Sequence, residues 1–497
     1  MNRDASPHIR RRQFLRGAAV STAAGVLPSA AVAAPLPGIP KPVFEEPSNY
    51  RLGAEKAAAW IRSAEIKGEN GVWLPEPDRP EIKATVSPPD GFYSGSAGTV
   101  LFFIELGKPY MDDAKRGGDY LASTWRKTAA TPSQAPGAEF SFYTGLAGIA
   151  FALAQLWKAT GDADYRREAL QAVDVLLKAA KPMGAGVGWM AWPGMTGNSG
   201  IVLVLLALAD LLGDVNEGHP LRTAAIRAGD RIVEQAIPDP RGGLRWQGMP
   251  PAFLGEPDGT YWPNLQLGTS GVVYALARLG AVTGEERFVK AAQAGALHLQ
   301  SIATVRGDAA LIHYREPDAT DLFYLGYCNG PAGTARAFYQ LYAATKDPHY
   351  LEWTEMLARG VMASGIPDRQ APGFWNVVCQ CCGSAGVADF FLGLWAATGR
   401  PQYLAFARRV GDQMLSRRTD FGGPGYRWYQ AYTRVKPGEV TAETGYMIGA
   451  AGIGSALLHL DGAGSTGSHG VIRMPDDPFP SDHAAGEREM EMNEDAQ

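Results

Sequence analysis

The stretch "TGNSGIVLVLLALADLL" at residues 196–212 opens with a Gly-x-x-Gly and then runs apolar on every side. A helix of that kind has no face to offer water, so it is predicted to be buried. The same opening precedes an apolar run seven times, with first glycines at Gly95, Gly145, Gly197, Gly268, Gly330, Gly383 and Gly449. The spacing, about 50 to 70 residues, leaves room for two helices and two loops per unit. A second signature follows several of these runs: "ATGDADYRREAL" (159–170), "VTGEERFVKAA" (282–292), "ATKDPHYLEW" (344–353) and "ATGRPQYLAFARR" (397–409). Each closes one helix and opens a second, amphipathic one, as in "YRREALQAVDVLLKAA" (165–180).

Seven buried helices alternating with amphipathic ones imply an all-α fold, an α/α toroid of seven helical hairpins with an inner ring inside an outer ring. Small residues at the inner helix starts let the backbones crowd at one end. For most of the seven pairs that crowding is sufficient reason for glycine. Strand signals are sparse; "TVSPP" (85–89) and "LIHYREP" (311–317) suggest short extended pieces. All inner helices start at the same end, so their positive dipole ends face one cavity.

The chain's 497 residues, 46% of them apolar, suffice for one large core. A net charge of −5, with no basic block beyond residue 20, argues against nucleic acid as a partner. The toroid is expected over 34–462, as a monomer. Residues 1–33 resemble a twin-arginine export signal. Arg11 and Arg12 precede Phe14 and Leu15, an Ala-rich run follows, and Ala31-Val32-Ala33 fits a cleavage site. A periplasmic or secreted protein is expected, without a membrane span. From 463 to 497 the chain is Gly/Ser-rich, then Pro-rich, then acidic, and is expected to be disordered.

The chain has four cysteines. Cys328 stands two residues before Gly330 in "GYCNGPAG" (326–333), and Cys381 two before Gly383 in "CCGSAG" (381–386). They fill the same slot in consecutive repeats, and Cys382 fills the next position. The other repeats hold Tyr93, Tyr143, Met195, Gln266 and Met447 in that slot. Three convergent sulfurs read as a zinc site of Cys328, Cys381 and Cys382, one ion per chain, with a fourth position open. A disulfide from Cys328 to Cys379 or Cys381, or inert buried thiols, are the other readings. Cys379 is open to three roles: a fourth ligand, a redox partner or an unligated neighbour.

The seven Gly-x-x-Gly openings, Tyr327-Cys328-Asn329-Gly330 and Cys381-Cys382-Gly383 together resemble the lanthionine synthetase C-like family, over nearly the whole chain outside the signal and tail. The resemblance implies a seven-hairpin toroid. It also implies a zinc held through a Trp-Cys-x-Gly cysteine and a Cys-His-Gly pair, which places Cys328 and Cys381 at the two cysteines and Cys382 where the family has histidine. The implied chemistry is addition of a peptide thiol to a dehydroamino acid; eukaryotic relatives are similar in using glutathione. The family's acid/base histidine falls on Leu267 and its aspartate on Pro193. His313, in "HYREPDATDLFYLGYC" (313–328) with Arg315, Glu316, Asp318 and Asp321, is the candidate general acid, and Glu443 a weaker one. His298, His349 and His459 read as helix positions, His219 as the start of an outer helix, and His8, His469 and His483 lie in the signal or tail.

Three functions follow: a zinc protein activating a peptide or small-molecule thiol, a non-catalytic peptide binder, or a carbohydrate-active barrel. The last would use aromatics such as Tyr93, Tyr143, Trp189, Trp192 and Trp262, but it needs paired carboxylates that the helix starts do not offer.

Overall fold

The computed structural model describes residues 49–69, 71–78, 89–213, 219–431, 433–465 and 472–480. The signal residues lie outside these, as do most of "TVSPP" and the acidic end of the chain.

The seven apolar runs are helices, and each begins just after its first glycine: α2 (Ser96–Leu106), α4 (Leu146–Thr160), α6 (Asn198–Leu212), α9 (Thr269–Thr283), α11 (Pro331–Thr345), α13 (Ser384–Thr398) and α15 (Ala450–Ser465). They pack side by side in chain order, and α15 returns to α2, closing a ring. Around it stand the amphipathic helices α1 (Tyr50–Ser63), α3 (Met111–Ala130), α5 (Ala163–Ala179), α7 (Pro220–Glu234), α10 (Glu286–Ser301), α12 (Pro348–Ala363) and α14 (Pro401–Ser416). A four-residue helix, α8 (Pro251–Leu254), sits in a connecting loop. Six hairpins are contiguous in sequence. The seventh joins the two ends of the chain, because α15 takes α1 as its outer partner.

Four short antiparallel hairpins complete the connections: β1 (Lys181–Met183) with β2 (Gly186–Gly188), β3 (Ile237–Pro238) with β4 (Leu244–Arg245), β5 (Thr304–Arg306) with β6 (Ala309–Leu311), and β7 (Gln430–Ala431) with β8 (Val440–Thr441). Three of them are tied outward by a tryptophan whose indole N–H donates to an outer-helix carbonyl: Trp189 to Leu176, Trp246 to Ile232 and Trp428 to Met414. No described helix is long and apolar enough to cross a membrane.

Ring closure is also ionic. His459 on α15 is largely but not fully buried, and its Nδ1 lies 2.9 Å from Asp389 Oδ1 on α13. Its Nε2 lies 3.2 Å from Glu105 Oε1 on α2, and the Ser455 hydroxyl donates to the same Glu105 carboxylate at 2.8 Å. Burial opposes the imidazolium, but the fields of Asp389 and Glu105 override it and hold the His459 pKa well above its usual value. Burial likewise opposes the charge on Asp389, yet the His459 charge and its hydrogen bonds bring it below the ordinary carboxylate range.

The expectation of a structureless tail from 463 is corrected in two places. Helix α15 extends to Ser465, and residues 472–480 lie inside the ring, with Asp476 and Phe479 buried. Composition misread them because three prolines and two aspartates in nine residues lack helical or strand periodicity.

His459→Leu leaves the buried Glu105 and the largely buried Asp389 without their cation, and the loss of stability is expected at about 3 to 5 kcal/mol. The His459 contribution is fully present below about pH 6.5 and fades as pH rises through its raised folded-state pKa. The Asp389 contribution is present above about pH 3.9 and fades as pH falls through its lowered one. Denaturant unfolding of the variant checks this; a loss under about 1 kcal/mol would contradict the ionic closure.

Candidate metal centre

The loops before the inner helices meet in a belt of backbone hydrogen bonds. The slot residue of one repeat donates its N–H to the slot carbonyl of the next: Gln266 to Cys328 at 2.8 Å, Cys328 to Cys381 at 2.9 Å, Cys381 to Met447 at 2.9 Å, Met447 to Tyr93 at 2.9 Å, and Tyr93 to Tyr143 at 2.8 Å. The second glycine of each opening makes this approach possible. A Cβ on Gly386 would strike the Gln380 carbonyl and crowd the Tyr327 side chain of the adjacent repeat. One on Gly333 would meet the Tyr327 carbonyl and the Leu265 side chain.

The expected pooling of helix N-termini is tempered. Several first-turn N–H groups are already taken by carbonyls of the preceding loop, such as Ser270 by Pro263 at 2.9 Å, Ala385 by Val378 at 2.9 Å and Ala450 by Glu443 at 2.8 Å. The dipoles remain, but these donors are not free for a ligand.

Cys328, Cys381 and Cys382 converge at this belt. Their sulfurs all lie within 4.8 Å of one another, the one such metal-capable group among the described residues. The Cys328–Cys382 separation is 3.2 Å and that of Cys381–Cys382 is 3.6 Å. All four cysteines are free thiols. A tetrahedral centre with metal–sulfur bonds of about 2.3 Å sets its sulfurs roughly 3.8 Å apart, so the trio fits one zinc ion with small adjustments. The chemistry agrees. Hydrogen bonds from Cys328 and Cys382 push the Cys381 pKa well down, and the same interactions leave the Cys382 thiol well up. Cys328 is likewise held well up, first by its contact with Cys381 and then by burial. The protein alone thus favours one thiolate, and a divalent cation is what would let all three ionise together.

Cys379 lies outside the trio, and burial followed by the charge of Cys381 pushes it up to about 12. Its backbone N–H is held by Gln430 Oε1 at 2.9 Å.

The three sulfurs lie at the floor of a cavity of about 390 Å³. Tyr314 and Tyr324 stack on one wall with ring centroids 4.1 Å apart, and Trp375 packs edge-on to Tyr324 at 5.3 Å. Trp192, Leu254 and Val377 add apolar surface. The Tyr93 hydroxyl bonds to Cys381. Three polar atoms of lining residues are covered and unpaired. Asn329 Oδ1, Trp192 Nε1 and Thr196 Oγ1 are buried without a hydrogen bond. The Arg434 guanidinium, half-buried, also lines the cavity.

Not all the residues singled out in the sequence reach this cavity. His313 is not part of its lining, although its neighbours Tyr314 and Arg315 are. Its Nε2 faces Glu316 at 3.3 Å, and burial lowers its pKa against the pull of that carboxylate. Glu316 belongs to a flanking ionic cluster with Arg241, Asp239 and His298. There His298 is lowered to about 4 by burial, although Asp239 pulls the other way. Arg315 bridges Glu256 and Asp318, and Asp321 is exposed. Glu443 does line the cavity, near the Thr441 hydroxyl at 3.4 Å. Tyr93, Tyr143 and Trp192 reach it; Trp189 and Trp262 are buried in the packing instead. Leu267 lines the cavity as an apolar side chain, and Pro193 is buried. Among the described residues no histidine faces the three sulfurs across the cavity.

Residues 87–465 match the family model described as lanthionine synthetase C-like protein. Among solved structures, nisin cyclase shares the fold with a TM-score of 0.57 at 14% identity, over 83% of this chain and 93% of its own. The unsaturated glucuronyl hydrolase of Bacillus sp. GL1 aligns with a TM-score of 0.46 at 12% identity, over 85% of this chain and 98% of its own. Cellobiose 2-epimerase from Bacillus thermoamylovorans B4167 aligns with a TM-score of 0.41 at 12% identity, over 65% and 88%. No match was found among curated protein sequences.

Proposed function

The chain belongs to the lanthionine synthetase C-like family, and from that premise we propose that Cys328, Cys381 and Cys382 hold one zinc ion and that the cavity above them takes the thiol of a peptide or small molecule for addition to an electrophile such as a dehydroamino acid. The observation that carries this reading is the convergence of three sulfurs at the floor of an open cavity. Bound zinc supplies a Lewis acid that keeps an incoming thiol in its nucleophilic thiolate form.

The chain's own groups suit a thiol borne on an amide backbone. Asn329, Trp192 and Thr196 line the cavity, but their unpaired atoms Oδ1, Nε1 and Oγ1 are covered, so a substrate amide would meet them only after a side-chain shift. Arg434 stands ready for a carboxylate. The aromatic wall of Tyr314, Tyr324 and Trp375 gives the substrate an apolar side to pack against. Three thiolates carry one more negative charge than the family's two cysteines and a histidine. The incoming thiol's pKa is therefore lowered less, while a thiolate that does bind is more electron-rich. Glu443, which lines the cavity and accepts from the Thr441 hydroxyl, is the group we assign to take the proton the thiol releases and return it to the enolate.

A second reading, a zinc protein that binds a peptide without turning it over, is favoured by Leu267 and Pro193 at the family's acid/base positions and by the orientation of His313 toward Glu316. The two readings part on whether incubation with a thiol and a dehydroamino acid gives a thioether.

Metal analysis of the natively produced protein is expected to find about one zinc per chain. Cys328→Ala should lose most of it and Cys379→Ala little. Equal loss in both, or a metal-free wild type with a Cys–Cys crosslink, would contradict the proposed site. We also propose twin-arginine export of the folded chain, cleaved near Ala33. Replacing Arg11 and Arg12 with lysine should abolish export, and unchanged export would refute this route.

A further inference from the structure

The ring is plugged from within by its own C-terminal segment. Phe479 is 1% exposed and packs on Tyr339 of α11 at a ring separation of 4.5 Å and on Phe390 of α13 at 6.0 Å. Gly393 makes the room, since a Cβ there would strike the Phe479 ring. The Tyr274 hydroxyl on α9 donates to the Pro475 carbonyl at 3.1 Å. Arg336 on α11, itself buried, donates to the Asp476 carbonyl at 3.2 Å and lies 3.4 Å from the Asp477 carboxylate.

The Asp476 side chain has different partners. Its Oδ2 accepts from the Tyr143 hydroxyl at 3.0 Å and from the Tyr327 hydroxyl, and these two hydroxyls are 2.8 Å apart. Both tyrosines belong to the belt that sets the sulfurs. Tyr327 directly precedes Cys328, and Tyr143 is the slot residue of the second repeat. Gln380, which directly precedes Cys381, is anchored in the same core through Asp389 at 2.5 Å. The residue before each slot cysteine therefore points away from the cavity and is held by a carboxylate, Asp476 buried and Asp389 largely so. One carboxylate comes from an inner helix, the other from the tail.

We infer that residues 472–480 form a strut for the metal centre and that Asp476 is a positioning residue, fixing Tyr327 and Tyr143 so that Cys328 meets Cys381 and Cys382. A carboxylate oxygen receiving two phenol donors orients both rings at once, and its loss leaves the two buried hydroxyls only each other, so that one of them lacks an acceptor. The backbone turn of Cys328 then keeps only its belt hydrogen bonds. Partners behind a metal's ligands tune its retention in this way, by about 10- to 100-fold. The inference rests on the three-thiolate reading of the site.

The test is the rate at which the full-length zinc-loaded protein gives up its metal to a chromophoric chelator, well below the unfolding temperature. Asp476→Leu should release zinc about 10- to 100-fold faster than wild type. Asp476→Asn, which keeps an acceptor oxygen, should stay within about threefold of wild type. The cobalt-substituted protein should show a weakened or shifted thiolate-to-cobalt band in Asp476→Leu alone of the two. Leu121→Ala, in the outer helix α3, controls for general loss of stability. If Asp476→Leu does not fold, Tyr143→Phe removes one donor while keeping the ring and should raise release about threefold or more. Release from the Asp476→Leu or Tyr143→Phe variant no faster than from Leu121→Ala would overturn the inference while leaving the metal site standing. A wild type that neither carries nor takes up zinc would overturn the site itself.

Discussion

Everything in this molecule hangs on how closely the loops before the inner helices can approach one another. Six of the seven are joined, each one backbone hydrogen bond from the next, in the belt running from Gln266 through Cys328, Cys381, Met447 and Tyr93 to Tyr143. That approach needs helix starts without side chains, which the second glycines at Gly333 and Gly386 provide. Alanine at either would press a methyl against a carbonyl that cannot move without breaking its own repeat. Once the belt exists, cysteines in adjacent slots must meet. Cys328 and Cys381 are brought together by ring geometry although 53 residues separate them in sequence.

The belt makes the cavity face of each repeat chemically independent of its packing face. Inner helices bury apolar residues on all sides, so stability comes from the ring and its outer sheath. The slot residues can then vary: tyrosine, methionine and glutamine occupy five of them and cysteine two. The few polar residues on the inner helices are not at the cavity either. Glu105, Asp389 and His459 meet in the core and lock the last helix to the first and the sixth.

Local pattern made the ring legible, since the glycine pairs and apolar runs each report on one helix, and the slot argument needed only counting. What stayed hidden depends on contacts across the whole chain. His459 and Glu105 are 354 residues apart, and Tyr143 and Asp476 are 333 apart. A signal for the first existed: Glu105 and Asp389 are acids in helices otherwise read as apolar all round. The pairing of α1 with α15 followed from the same closure, because the seventh Gly-x-x-Gly helix has no amphipathic successor before the tail. For 472–480 the signal was weaker, an isolated Phe479 with Ile472 and Met474 in a Pro- and Asp-rich stretch. His313 looked available because its neighbours are charged. Those same charges, Glu316 above all, take it up.

The central claim is that ring closure assembles an open centre of three thiolates from Cys328, Cys381 and Cys382, where the family resemblance places two cysteines and a histidine. X-ray absorption at the metal edge of the natively produced protein measures it most directly. A first shell of about three sulfurs and one nitrogen or oxygen is the expected result. Four sulfurs would bring Cys379 into a closed structural site and contradict the account. A spectrum with two sulfurs and two lighter atoms would remove Cys382 from the set and contradict it equally.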